Sequence, residues 1–251
     1  MQQPTLFDPE PPQAPGPPAE PAGLDNRPQL PAQTPAAGAR ADGELFGSAP
    51  DEWEVRLAQA SDLQALEAVV KGCTRCGLRA GCRQVVFGEG NPAARLMLVG
   101  EGPGQVEDET GRPFVGPAGQ LLDRMLAAIG LTRSDVYIAN VVKCRPPNNR
   151  VPTPEEAMAC WPNLRRQLEL IRPELVLCLG ATAARQLVDA KGSVSALRGR
   201  WVLRNGVRHL VSFHPAALLR TPAYKALAWQ DLQMVQKALQ ELPPKSHRGT
   251  W

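Results

Sequence analysis

The 251 residues carry 28 Lys and Arg against 25 Asp and Glu, a net charge of +3, and 43% of them are hydrophobic. That is enough for one core of about 150–200 residues. No apolar run approaches the roughly 18–20 residues that span a bilayer. The opening MQQPTLFDPE has no basic region ahead of an apolar stretch, so no secretory signal is expected. A cytoplasmic protein away from membranes is the expectation, and in a reducing compartment its six cysteines read as metal ligands or small buried hydrophobes rather than disulfides.

Charge and proline divide the chain. Residues 1–50 hold 12 of the 26 prolines and a net charge of −4, which leaves +7 on residues 51–251. Such a segment cannot bury enough apolar surface to offset its ordering entropy, so residues 1–51 are expected to form a disordered tail. Residues 52–243 are expected to form the folded body and 244–251 a flexible end. A modestly basic body is compatible with nucleic-acid binding. Within the tail, Gln3, Leu6 and Phe7 in QPTLF resemble the short peptides by which bacterial replication and repair proteins dock on the sliding clamp; an accidental Leu-Phe pair is the bland alternative.

Along the body, Ser61 with Gln64 reads as a capping-box-like start to a helix ending near Val70, and CTRCGLRAGC follows as a loop. ARLMLVG (94–100) is a short apolar run ending in glycine, a buried strand. GEGPGQVEDETGRPFVGPAG (100–119) is a glycine-rich strand-to-helix loop, but Gln105 stands where a dinucleotide fingerprint needs its third glycine, and no Gly-Lys-Ser/Thr phosphate loop occurs. Phe114 is an awkward surface residue there unless it stacks on something flat. PAGQLLDRMLAAIG has helical period, with Pro117 in its first turn and Gly130 as a stop. VYIANVV (136–142) is a second strand, ending near Asn140, whose amide offers a donor and an acceptor to one edge of a pyrimidine. Thr153, Pro154 and Glu156 open another helix. LVLCLG (175–180) is a third strand, with ATAARQLV a short helix after it. Asn205-Gly206 marks a hairpin whose second arm is a fourth strand, ending at His214 in HPAALLR (214–220). An imidazole there can stabilise a leaving anion or act as acid or base. A last helix covers about 222–241. Strands alternating with helices predict an α/β fold with a parallel sheet covered on both faces and chemistry at the strands' carboxyl ends.

Cys73 and Cys76 form a C-x2-C pair, and Cys144 and Cys160 flank a helix start. Four thiolates suit a structural zinc or a [4Fe–4S] cluster, and spacing leaves both open. Cys82 is an alternative ligand; Cys178, inside an apolar strand, reads as core.

Taken together, GEGPG…GRPFVG, VVKCRPPNNR and HPAALLR resemble the family 4 uracil-DNA glycosylases, the iron–sulfur branch of bacteria and archaea, from about residue 57 to 243. The resemblance implies a three-layer α/β/α sandwich with a central four-stranded parallel sheet, a [4Fe–4S] cluster on Cys73, Cys76, Cys144 and Cys160, and a monomer that flips uracil from DNA and hydrolyses its N-glycosidic bond in base excision repair, near the nucleoid. It places Glu101, Gly102 and Gln105 around the uracil and its water, Phe114 on the base, Asn140 on its polar edge and His214 at the uracil oxygen that gains charge. Leu218, Leu219 and Arg220 would form a loop entering the duplex. Gly102 stands where the better-known branch has a water-positioning aspartate, which makes Glu101 the candidate for that role, with a loop anchor as its alternative. Ala217 replaces a bulkier residue of the family's tail motif. Competing readings are a non-catalytic or covalently trapping uracil-DNA-binding protein with a redox-sensing cluster, and a small electron-transfer protein; the GEQPG loop and basic insertion of the covalent relatives are not found in this sequence.

Overall fold

A computed structural model describes residues 51–189 and 191–243. The Gln3, Leu6 and Phe7 cluster, the rest of the 1–50 tail and the 244–251 end lie outside the described residues. In chain order the body runs α1 (Glu52–Gln59), α2 (Leu63–Lys71), α3 (Leu78–Gly81), β1 (Glu89–Gly90), β2 (Leu96–Gly100), α4 (Gln105–Thr110), α5 (Pro117–Ala128), β3 (Tyr137–Asn140), α6 (Pro154–Ile171), β4 (Leu175–Leu179), α7 (Ala181–Val188), α8 (Val194–Leu197), β5 (Trp201–Arg204), β6 (Val207–Ser212), α9 (Pro215–Arg220) and α10 (Lys225–Glu241).

The sheet order is β1-β3-β2-β4-β6-β5. Its four inner strands are parallel, and the edges β1 and β5 are antiparallel. The four expected parallel strands are therefore present, widened by two edge strands. The β5–β6 turn follows from Asn205 and Gly206, at φ 49° and 74°, the left-handed pair that a two-residue hairpin requires.

Period-2 alternation sorts the strand residues into two cores. Met97, Val99, Ala139, Val176 and Cys178 face α1, α2, α6 and α7, whose Leu57, Leu66, Leu164 and Ala183 pack on them. Leu96, Leu98, Ile138, Leu177 and Leu210 face α5, α9 and α10 through Leu122, Leu218 and Leu232. Helices on both faces of one mostly parallel sheet make the three-layer sandwich. Each inner strand is buried on both sides, so these segments read as continuous apolar runs.

Four local expectations need correction. The CTRCGLRAGC segment holds the short helix α3 rather than being all loop. The α2 cap is Asp62, which accepts from Ala65 N, while Ser61 donates to Asp62. The glycine-rich loop contains α4, and residues 215–220 are helical rather than a loop. Pro215 in the first turn and the His214 side chain as cap nucleate that helix.

Candidate active site

The carboxyl ends of β2, β3 and β6 bring three predicted residues together. Gly100 closes β2, and a Cβ built on it would stand 2.4 Å from Phe114 Cζ and 2.5 Å from Asn140 Oδ1. The ring and the amide thus share the space that a side chain would fill. The Phe114 and His214 rings lie 5.4 Å apart between centroids, tilted by 31°. An aromatic ring thus lies between an amide and an imidazole at these strand ends.

Phe114 is buried and sits at φ 52°, a conformation that costs a bulky residue about 1–3 kcal/mol unless its surroundings impose it. They do. A Cβ on Gly119 would come within 1.8 Å of Phe114 O, so only glycine permits α5 to approach this closely. Arg133 donates to the carbonyls of Pro113 (2.6 Å) and Phe114 (3.0 Å) while paired with Glu89 and Asp123. Buried Glu107 accepts from Val115 N (2.9 Å), Gly116 N (2.8 Å) and Gly104 N (3.1 Å), tying the start of α4 to the turn that carries the ring.

Asn140 ends β3 at 1% exposure, and its Oδ1 is buried without a partner. A buried acceptor left unpaired costs about 1–3 kcal/mol, so such atoms in folded proteins call for a partner from outside the chain. His214 caps α9 by accepting from Ala216 N at Nδ1, 3.2 Å away. Burial and the nearby Arg220 charge hold its imidazole down to about 4, with Glu107 pulling weakly the other way. The ring is therefore neutral at pH 7, and since Nδ1 accepts, its one proton is on Nε2.

The remaining predicted residues divide. Glu101 follows β2 and accepts from Thr182 Oγ1 at 2.5 Å through Oε2. Val142 N donates to Glu101 O (3.2 Å), which ties this loop to the end of β3. Gly102 admits Val142 Cγ2, which would lie 2.8 Å from a Cβ. Gln105 is exposed and donates to Glu109 on its own helix (3.1 Å), so its side chain turns along α4 rather than into the site. Leu218 is fully buried in the core beneath α9, while Leu219 is 44% exposed and Arg220 is exposed. A helical turn points successive residues about 100° apart, so the three cannot project together.

Beneath β3, Cys73, Cys76, Cys144 and Cys160 line one cavity together with Arg75, Arg79, Lys143 and Asn163. All are free thiols. Asn163 Nδ2 donates to Cys160 Sγ (3.6 Å) and Cys73 Sγ (3.9 Å), and its Oδ1 accepts from Trp53 Nε1 (2.9 Å). Burial pushes the Cys144 and Cys160 thiols up, the former further raised by neighbouring Cys82. Among the described residues no three Cys, His, Asp or Glu side chains come together as a grip for a single metal ion. Cys178 is a fully buried core residue of β4.

Residues 87–233 match the family model described as the uracil DNA glycosylase superfamily. The chain is 52% identical over 155 residues to a type-4 uracil-DNA glycosylase of Thermotoga maritima, which covers 60% of this chain and 80% of that protein. It is 46% identical over 186 residues to the type-4 enzyme of Archaeoglobus fulgidus and 42% identical over 181 residues to that of Pyrobaculum aerophilum, covering 69% of this chain and 92% of each relative. The chain belongs to the type-4 uracil-DNA glycosylases.

Several residues of this family member's site were not legible in the sequence. Lys143, buried behind Asn140, reads in one dimension as a solvent-exposed lysine, and nothing local distinguishes it. Thr182 and Arg133 are likewise contributed by elements distant in sequence. Glu107 alone carried a signal: it stands three positions after Gly104, the capping-box spacing.

Proposed function

We propose that the chain removes uracil from DNA, hydrolysing the N-glycosidic bond and leaving an abasic site. The observation that carries the reading is the unpartnered, buried Oδ1 of Asn140 close to the Phe114 ring, which in turn lies against His214. An amide there complements the N–H and carbonyl of the uracil edge; cytosine presents an acceptor and a donor in the opposite order. A base inside a duplex is out of reach, so it must be flipped into this space at a cost of a few kcal/mol. Phe114 then stacks on it. Exposed Leu219 and Arg220, beside the His214 cap, suit contact with the strand left behind; Leu218 instead holds α9 in place.

Bond cleavage puts positive charge on the sugar and negative charge on uracil. His214 meets that negative charge as a neutral Nε2–H donor, a preorganised contact that is worth about 2.7–4 kcal/mol. Glu101 has one oxygen committed to Thr182 and the other available to hold the attacking water. Gln105 keeps only a backbone role at the start of α4.

The cysteine cavity fits a [4Fe–4S] cluster by its donor chemistry. Four thiols surround one space, Asn163 is aimed at two of the sulfurs, and Arg75 and Arg79 offset the negative charge of a thiolate-bound cluster. When bound, the cluster supplies a cross-link between the loop before α3, the loop after β3 and α6. The QPTLF peptide would deliver the enzyme to a sliding clamp, and loss of clamp pull-down on deleting residues 1–8 tests that.

Incubation with a uracil-containing oligonucleotide, followed by alkali cleavage, tests the function: strand scission is expected with the wild type and about 100-fold less with His214→Ala. No scission, or a heat-stable protein–DNA adduct, refutes hydrolysis. Absorbance near 400 nm with about four irons per chain, lost in Cys144→Ala, tests the cluster.

A further inference from the structure

Lys143 lies between the two sites just described: it lines the cysteine cavity, but its ammonium turns to the strand that carries Asn140. It is 2% exposed, and its Nζ donates to the main-chain carbonyl of Asn140 (2.9 Å) and to Gln167 Oε1 (2.6 Å). Gln167 is itself fully buried, donating from Nε2 to Phe87 O (2.9 Å) and Tyr137 Oη (3.3 Å). The main chain of Lys143 is held as well: its carbonyl accepts from Val86 N (2.8 Å). Burying an ammonium is costly unless hydrogen bonds compensate it. An apolar side chain would fill this core at lower cost.

We propose that Lys143 is a positioning residue that fixes Asn140 for uracil and ties the recognition amide to the cysteine-lined side of the protein. The strand ladder of β3 ends at Asn140, and its carbonyl is taken by Lys143 rather than by a further strand residue. That bond sets the orientation of the peptide plane at the point where the amide side chain departs. The Asn140 Oδ1 has no partner of its own to hold it, so the aim of the amide depends on the backbone beneath it. Lys143→Met preserves length and apolar volume while leaving the Asn140 carbonyl and Gln167 Oε1 unpaired in the core. A shift of the amide by a fraction of an ångström follows, which is expected to cost about 10–100-fold in rate.

The proposal rests on the uracil-release reading, and a double-mutant cycle separates the two. Single-turnover release is measured on the full chain for wild type, Asn140→Ala, Lys143→Met and the double variant. Lys143→Met is expected to slow release about 10–100-fold, with iron content, circular dichroism and affinity for an abasic-site oligonucleotide unchanged. In the Asn140→Ala background it is expected to cost less than about twofold, because Lys143 acts through Asn140. Equal losses in both backgrounds, or a wild-type rate in Lys143→Met, overturn the positioning role. Should Lys143→Met fail to fold, Gln167→Leu frees the same ammonium and enters the same cycle with the same expectation. A wild type that releases no uracil refutes the function instead.

Discussion

How His214 acts can be read from the pH dependence of uracil release. Its imidazole is held down to about 4 by burial first and by Arg220 second, so at pH 7 it is about three pH units from protonation. Charging it there would cost about 4 kcal/mol, at about 1.36 kcal/mol per unit, and the imidazolium would be about one molecule in a thousand. A general acid that rare supplies little proton transfer at neutrality. A neutral Nε2–H donor, with Nδ1 engaged by Ala216 N at 3.2 Å, is available in full. Single-turnover release, followed by alkali cleavage of a labelled oligonucleotide, is therefore expected to show no inflection from His214 between pH 5.5 and 9, and to decline as the pH falls through about 4. Protonation at Nδ1 would set two donors facing each other at the α9 cap. The same value has a stability consequence. The unfolded imidazole takes up a proton below its ordinary 6.5 and the folded one does not, so stability is full above that range and erodes as pH falls from 6.5 toward 4. A midpoint near 6.5 in the rate, removed by His214→Gln, would refute the neutral-donor argument.

Asn140→Ala is expected to slow uracil release about 100-fold while shifting the melting temperature by only a few degrees, because it removes a buried acceptor with no partner. A melting temperature lowered by 10 °C or more would show that the amide is structural. Gly100→Ala places a methyl 2.4 Å from the Phe114 ring and 2.5 Å from the Asn140 oxygen; such overpacking costs about 1–3 kcal/mol, and loss of release with bulk secondary structure retained is the expected outcome in kinetics and circular dichroism. Arg198 pairs with both oxygens of fully buried Asp231, and Oδ2 also accepts from Ser212, two residues before His214. Arg198→Leu strands that carboxylate at a cost of about 3–5 kcal/mol, which calorimetry should register as a drop of roughly 10 °C for a domain of this size.

Much of the body follows from local pattern. The runs around 96–100, 137–140, 175–179 and 207–212 are apolar on both faces, which only a covered parallel sheet accommodates, and the Asn205-Gly206 turn and the Thr153–Glu156 box are set by their own backbone chemistry. The strand-end loops carrying Glu101, Asn140 and His214 were legible for the same reason: topology sends such loops to one edge. The edge strand β1 was not legible, since two residues carry no period, and neither was α4 inside a glycine-rich loop. Leu218 and Leu219 are alike in composition, and only the seating of α9 on α5 decides that one is buried and the other exposed. Lys143, Arg133 and Thr182 acquire their roles from partners up to 81 residues away. Sequence determines what each segment can bury, because burial has a period. Which polar atom meets which is settled only when distant segments are packed, since a hydrogen bond acts over about 3 Å and leaves no periodic trace in the chain.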